Sequence, residues 1–97
     1  MFWKSKYIVI DTSLNEYAII FPETLNHSDV AFAMTYGDLT KVMSAGFVSI
    51  GVANNRPKCS VYGESISLNT KSRPEDYKIV NQALGINVDE DEYVPMA

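Results

Sequence analysis

Apolar residues first gather into two short runs, Tyr7-Ile8-Val9-Ile10 and Tyr17-Ala18-Ile19-Ile20-Phe21. Both are rich in β-branched and aromatic residues, which suit a pleated strand. They predict strands over 6–11 and 16–21, and the turn formers Thr12-Ser13-Leu14-Asn15 predict a hairpin between them. The apolar positions are consecutive rather than alternating. Such strands are covered on both faces for part of their length, or sit centrally in their sheet. Pro22 ends the second strand.

Further along, Asn26 is placed to cap a helix from His27 to about Tyr36, with Val30, Ala33 and Met34 on its buried face and Gly37-Asp38 as its stop. A longer strand follows over 42–53, alternating Val48, Ile50 and Val52 against Phe47, Ser49 and Gly51. Gly46 and Gly51 within it predict a bulge or the close approach of a neighbour. Asn54-Asn55-Arg56-Pro57 reads as a hairpin turn, because asparagine tolerates positive backbone angles. The return strand takes Lys58 to Tyr62, with Cys59 and Val61 on the buried face. Gly63 permits a kink, after which Ile66 and Leu68 continue the alternation.

The final helix carries the most explicit local signal. Ser72 followed three residues later by Glu75 has the spacing of a capping box, and Pro74 suits a first turn. The helix is predicted from Pro74 to Leu84, burying Tyr77, Val80 and Leu84, with Gly85 as its stop. The order β-β-α-β-β-α predicts an α+β fold: a four-stranded, mainly antiparallel sheet with two helices packed on one face. Residues 1–87 form the expected single domain, and 88–97 an acidic, flexible C-terminal tail.

Charge sharpens that division. The chain has 97 residues, with twelve acidic against eight basic side chains. Asp89, Glu90, Asp91 and Glu92 account for the whole net charge of −4, so the remainder is balanced. A balanced body lacks the basic footprint of a nucleic-acid binder. The apolar run after the N-terminal lysines is too short for a signal peptide or a membrane span, and the single cysteine excludes an internal disulfide. A cytoplasmic location is the expectation.

Candidate chemistry is sparse. His27-Ser28-Asp29 contains the residue types of a catalytic triad, but adjacent side chains at a helix start diverge. Cys59 alternates with buried strand residues and lacks a setting that would lower its pKa. One histidine and one cysteine without close spacing do not make a metal site, and no cofactor motif is present. The residues best placed to contact a partner are Phe2 and Trp3 at the N-terminus, and Asp89, Glu90, Asp91, Glu92 and Tyr93 in the tail.

The block Tyr62-Gly63-Glu64-Ser65-Ile66-Ser67-Leu68, leading into Lys71-Ser72-Arg73-Pro74-Glu75-Asp76, resembles a segment of small phage- and prophage-encoded proteins of unassigned function. The similarity extends to Tyr7-Ile8-Val9, Phe21-Pro22, His27-Ser28-Asp29-Val30-Ala31 and Ser44-Ala45-Gly46-Phe47-Val48, and so covers roughly residues 7 to 84. It implies a phage or mobile-element origin and transfers no catalytic residue. The expectation is a non-catalytic protein-binding accessory factor that blocks a host protein or defence complex. The alternatives are a self-associating particle component, such as a homodimer, and, more distantly, a small hydrolase or nuclease using His27 with Asp29 or Asp38.

Overall fold

The structure, a computed structural model, describes residues 3–53 and 55–86. Strands β1 (Trp3–Asp11) and β2 (Glu16–Phe21) form the first hairpin. Its turn is closed by the Thr12 amide and hydroxyl, which both donate to the Asn15 carbonyl. Helix α1 (His27–Met34) and a single 3-10 turn (Leu39–Lys41) lead to β3 (Val42–Ala53) and β4 (Arg56–Tyr62). The four strands lie in the order β2-β1-β3-β4, and every neighbouring pair is antiparallel. A two-stranded ribbon of β5 (Glu64–Ser65) and β6 (Thr70–Lys71) then precedes α2 (Asp76–Ala83).

The α+β class, the four-stranded antiparallel sheet and its β-β-α-β-β-α order are those expected. The helices, however, pack on opposite faces rather than on one. Successive side chains of a strand point to opposite sides. Tyr7 and Val9 join Val48, Cys59 and Val61 beneath Tyr77 and Val80 of α2. Ile8 and Ile10 join Phe21 and Ala45 beneath Ala31 of α1. All four residues from Tyr7 to Ile10 are nearly or wholly inaccessible. A central strand with an unbroken apolar run needs a cover on each face, and one helix supplies each.

α1 reaches its face because β2 and β3 both run antiparallel to β1, and therefore parallel to each other. A parallel pair requires a crossover connection. The fully buried stripe of this helix is His27, Ala31 and Thr35, four residues apart; Val30 packs beside it partly buried, as expected, whereas Ala33 and Met34 are exposed. The Thr35 hydroxyl donates to the Ala31 carbonyl at 2.7 Å, which lets a polar residue take a buried position. Phe32 and Met34 are left facing outward, 61% and 49% exposed. Ile66 is likewise no strand residue: it sits 87% exposed in the turn of the β5-β6 ribbon.

β3 carries its irregularity at one end. Val9 pairs with Ser44 but Ile10 pairs with Val42, so Met43 is the extra residue of a bulge. Gly46 answers instead to close approach. A Cβ there would lie 2.5 Å from the Tyr62 carbonyl oxygen, where the chain leaving β4 passes over β3. No backbone atom can yield that much without moving the strand. Gly46→Ala is therefore expected to destabilise the protein by about 1–3 kcal/mol, the usual range for overpacking. Denaturant unfolding measures it, and an unchanged midpoint would mean the two segments do not meet as described.

Candidate functional site

Three groups in the fold have chemistry to offer, and each is tied into the structure. The strongest is Asp76, a fully buried carboxylate at the start of α2. Its Oδ2 accepts the Tyr7 hydroxyl at 2.6 Å and the Arg73 amide at 3.0 Å. Its Oδ1 accepts Arg73 Nε at 3.0 Å and lies 2.9 Å from Nη2. Nη2 also donates to Glu16 Oε1 of β2 at 2.7 Å. Burial raises the Tyr7 phenol far above its ordinary value, and the neighbouring Asp76 adds to the rise. For Arg73, burial alone would favour deprotonation, but its hydrogen bonds to Glu16 and Asp76 outweigh that and raise its pKa.

This arrangement corrects the expected cap. α2 begins at Asp76 rather than Pro74, and neither Ser72 nor Glu75 makes a side-chain cap bond. The reciprocal bond runs from the Arg73 amide to Asp76, the same three-residue spacing moved along by one. Ser72 instead stands beside the Tyr7 hydroxyl. The helix end is as expected: Gly85 has φ of 73°, and the Ile86 amide reaches back to the Asn81 carbonyl at 2.9 Å.

His27 is the second group. It is 5% exposed, and its ring meets Phe21 and Phe47 edge-on, each at 5.6 Å between centroids. Nε2 lies 2.7 Å from the Gly46 carbonyl, so it carries the proton and donates. Burial lowers its pKa, and Lys6 adds to the effect against the Gly46 bond. The carboxylates considered as its helpers lie elsewhere in hydrogen bonding: Asp29 accepts from Asn26, and Asp38 from Thr40. Cys59 is third. It is buried under α2, and burial pushes its thiol up to about 12. Among the described residues, no three of His, Cys, Asp or Glu are grouped to hold a metal ion. Nor is any described helix long and apolar enough to cross a membrane.

An open cleft of about 720 Å³ lies at the end of the sheet where β1 begins, β2 ends and α2 finishes. Ile20, Phe21, Ile50 and Leu84 give it an apolar lining, and the buried Ser5 also contributes to its walls. Lys4 and Glu23 also line it as a loose, half-exposed ion pair at 3.8 Å. The Lys4 ammonium lies 4.9 Å from the Phe47 ring centroid. Of the partner-binding residues expected from sequence, Phe2, Asp89, Glu90, Asp91, Glu92 and Tyr93 lie outside the described residues, as does the whole 88–97 tail. The backbone of Trp3 is within them and pairs with Ile50, one of the cleft residues. The cleft itself was not legible in sequence, because its walls come from three strands and a helix end.

No family model, no curated protein and no solved structure matches this chain.

Two outcomes follow from these groups. Arg73→Met strands Asp76 without its charge partner, and should cost on the order of 3 kcal/mol in denaturant unfolding. Exposed Lys71→Ala should stay within about 0.5 kcal/mol. Equal effects would show that the Asp76 contacts do not support the fold.

His27 should make the protein acid-sensitive. Its folded pKa lies below the ordinary 6.5, so the unfolded chain takes up the proton first. The stability that the neutral ring contributes is complete above pH 6.5 and is lost as pH falls towards the folded value. Stability of wild type in thermal unfolding should weaken as pH falls below 6.5. His27→Gln, which keeps an amide donor for Gly46, should flatten that slope. An unaltered slope would place the acid sensitivity in other groups.

Proposed function

We propose that this chain is a non-catalytic protein-binding accessory factor, and that the cleft receives an apolar side chain presented by a partner protein. The observation that carries this reading is the contrast between the cleft and the titratable groups. Ile20, Phe21, Ile50 and Leu84 form an apolar concavity open to solvent. Asp76, His27 and Cys59 are buried away from solvent and held by Arg73, Gly46 and the core. A hydrolytic reading through His27 draws no support from a ring enclosed by Phe21 and Phe47.

The lining also speaks to the partner's chemistry. An apolar pocket with a polar margin is how interfaces seat a large anchor residue, while the rim excludes water and sets orientation. Lys4 and Glu23 provide such a margin with no net charge. A neutral, apolar contact suits a protein surface better than a nucleic acid. The resemblance to phage-encoded proteins supports a factor that blocks a host protein or defence complex from within the host cytoplasm.

The test uses the full chain as bait in lysate of its native host, with a photo-crosslinking residue at exposed Thr24 beside the cleft. A host protein should be retained and should crosslink there. Leu84→Asp should reduce its retention by about tenfold, the loss of one good apolar contact, while the chain remains folded by circular dichroism. Retention that ignores Leu84→Asp and leaves position 24 uncrosslinked would refute the cleft as the contact surface.

A further inference from the structure

The two edges of the sheet are built very differently. β4 forms one edge and opens with Arg56-Pro57-Lys58. Charge and proline on an edge are the usual means of refusing another strand. β2 forms the other edge, and from Tyr17 to Phe21 it has neither. Its only charged residue, Glu16, is turned inward to Arg73 at 2.7 Å. Ala18, Ile19 and Ile20 are half-buried, and Tyr17 is 45% exposed. Among the described residues, no strand pairs with the outer side of β2.

We propose that β2 pairs with β2 of a second copy of this chain, joining the two sheets into one of eight strands about a two-fold axis. The pairing is antiparallel, with Ile19 opposite Ile19 of the partner subunit. In this register Tyr17 faces Phe21 of the partner subunit, Ala18 faces Ile20 of the partner subunit, and no like charges oppose one another. The same pairing along β4, about its central Cys59, would set Pro57, which has no N–H to give, opposite Val61 of the partner subunit and Lys58 opposite Ser60 of the partner subunit. That is why the second copy uses β2.

The residues flanking β2 fit this register. Leu14, in the β1-β2 turn, is 92% exposed, and Leu25, just past Pro22, is 48% exposed. Antiparallel pairing about Ile19 carries Leu14 to the end where Leu25 of the partner subunit lies, and this happens at both ends of the ribbon. Two exposed leucines per chain thus meet apolar neighbours instead of water. The half-buried side chains of Ala18, Ile19 and Ile20 gain neighbours on both faces of the sheet. The edge satisfies what an isologous contact requires: one patch, self-complementary, closed by a two-fold axis. A second copy is favoured over a foreign strand because every feature of the fit is supplied by this chain itself.

This proposal does not depend on the cleft as a binding site, and its test reads only the purified full-length protein. Sedimentation equilibrium at micromolar concentrations should report a dimer. Tyr17→Lys adds a charge at an exposed edge position, and should weaken association by about tenfold or more while leaving the circular dichroism of the folded chain unchanged. Ile19→Cys provides a second readout that does not require the contact to be broken. Under mild oxidation it should give a disulfide-linked dimer on a non-reducing gel, whereas wild type, with Cys59 buried, should give none. A protein that stays monomeric overturns the proposal. A dimer indifferent to Tyr17→Lys and uncrosslinked at position 19 overturns it equally, by placing self-association on another surface.

Discussion

Asp76 is where the fold's two halves are held together. A carboxylate with no solvent access is strongly unfavourable unless its oxygens are matched by donors, and here both oxygens are. One donor is distant in the chain and the others are local, but the local one reaches onward. Tyr7 belongs to the central strand, Arg73 to the segment before α2, and Arg73 in turn reaches Glu16 on the edge strand β2. Apolar packing of Tyr77 and Val80 would hold α2 against the sheet in many similar orientations. The Asp76 contacts select one, because hydrogen bonds are directional where apolar contact is not. The position of α2 then decides where Leu84 lies, and so forms one wall of the cleft.

The opposite face is fastened by a smaller version of the same device. His27 donates to the Gly46 carbonyl from the first turn of α1. Gly46 thereby serves both faces. On one, its carbonyl anchors α1; on the other, its missing side chain leaves space for the Tyr62 backbone beside Ser72 and Tyr7. The cost of these polar anchors is visible in what they leave incomplete. Asn81 is fully buried with its Nδ2 on the Tyr77 carbonyl at 2.7 Å, but its Oδ1 lacks a partner, as does the Ser44 hydroxyl. Each such atom subtracts from stability. A small domain with these losses benefits from any surface it can cover by association.

What could be read in sequence and what could not divide along one line. Strand boundaries near Glu16–Phe21, the positive backbone angle at Asn55 and Gly63, and the α2 stop at Gly85 follow from local chemistry, and they appear where expected. Burial does not follow apolarity alone in either helix. In α1 Val30 packs against the core as its apolarity suggests, but the fully buried positions are His27, Ala31 and Thr35 while Ala33 and Met34 face outward, which no hydrophobic period shows. In α2 the buried face includes Asp76 and Asn81 beside Tyr77 and Val80. The Ser72–Glu75 pair matched a capping box better than Arg73–Asp76 did, but only the latter also meets Tyr7. The consecutive apolar run Tyr7–Ile10 did contain the information that both faces are covered. Such a run is incompatible with both helices on one face, and each face carries one.

The two surfaces proposed for association share residues, and that has a consequence for how they work. Ile20 and Phe21 end β2 and also line the cleft, with Pro22 just beyond. Pairing along β2 would hold those residues in the extended strand and prevent the last part of the edge from fraying. Fraying strand ends are the least stable part of a sheet, and a wall that frays lowers the affinity of any pocket it borders. Self-association and occupation of the cleft are then linked through the order of the same three residues. Linkage is reciprocal: whatever a paired edge adds to the affinity of the cleft, an occupied cleft adds to the affinity of the edge. The sign of the coupling depends on reach. An anchor inserted from the side of α2, past Leu84, leaves the edge free to pair and strengthens it. A partner that extends along β2 itself competes for the same backbone groups, and would separate the two copies as it binds.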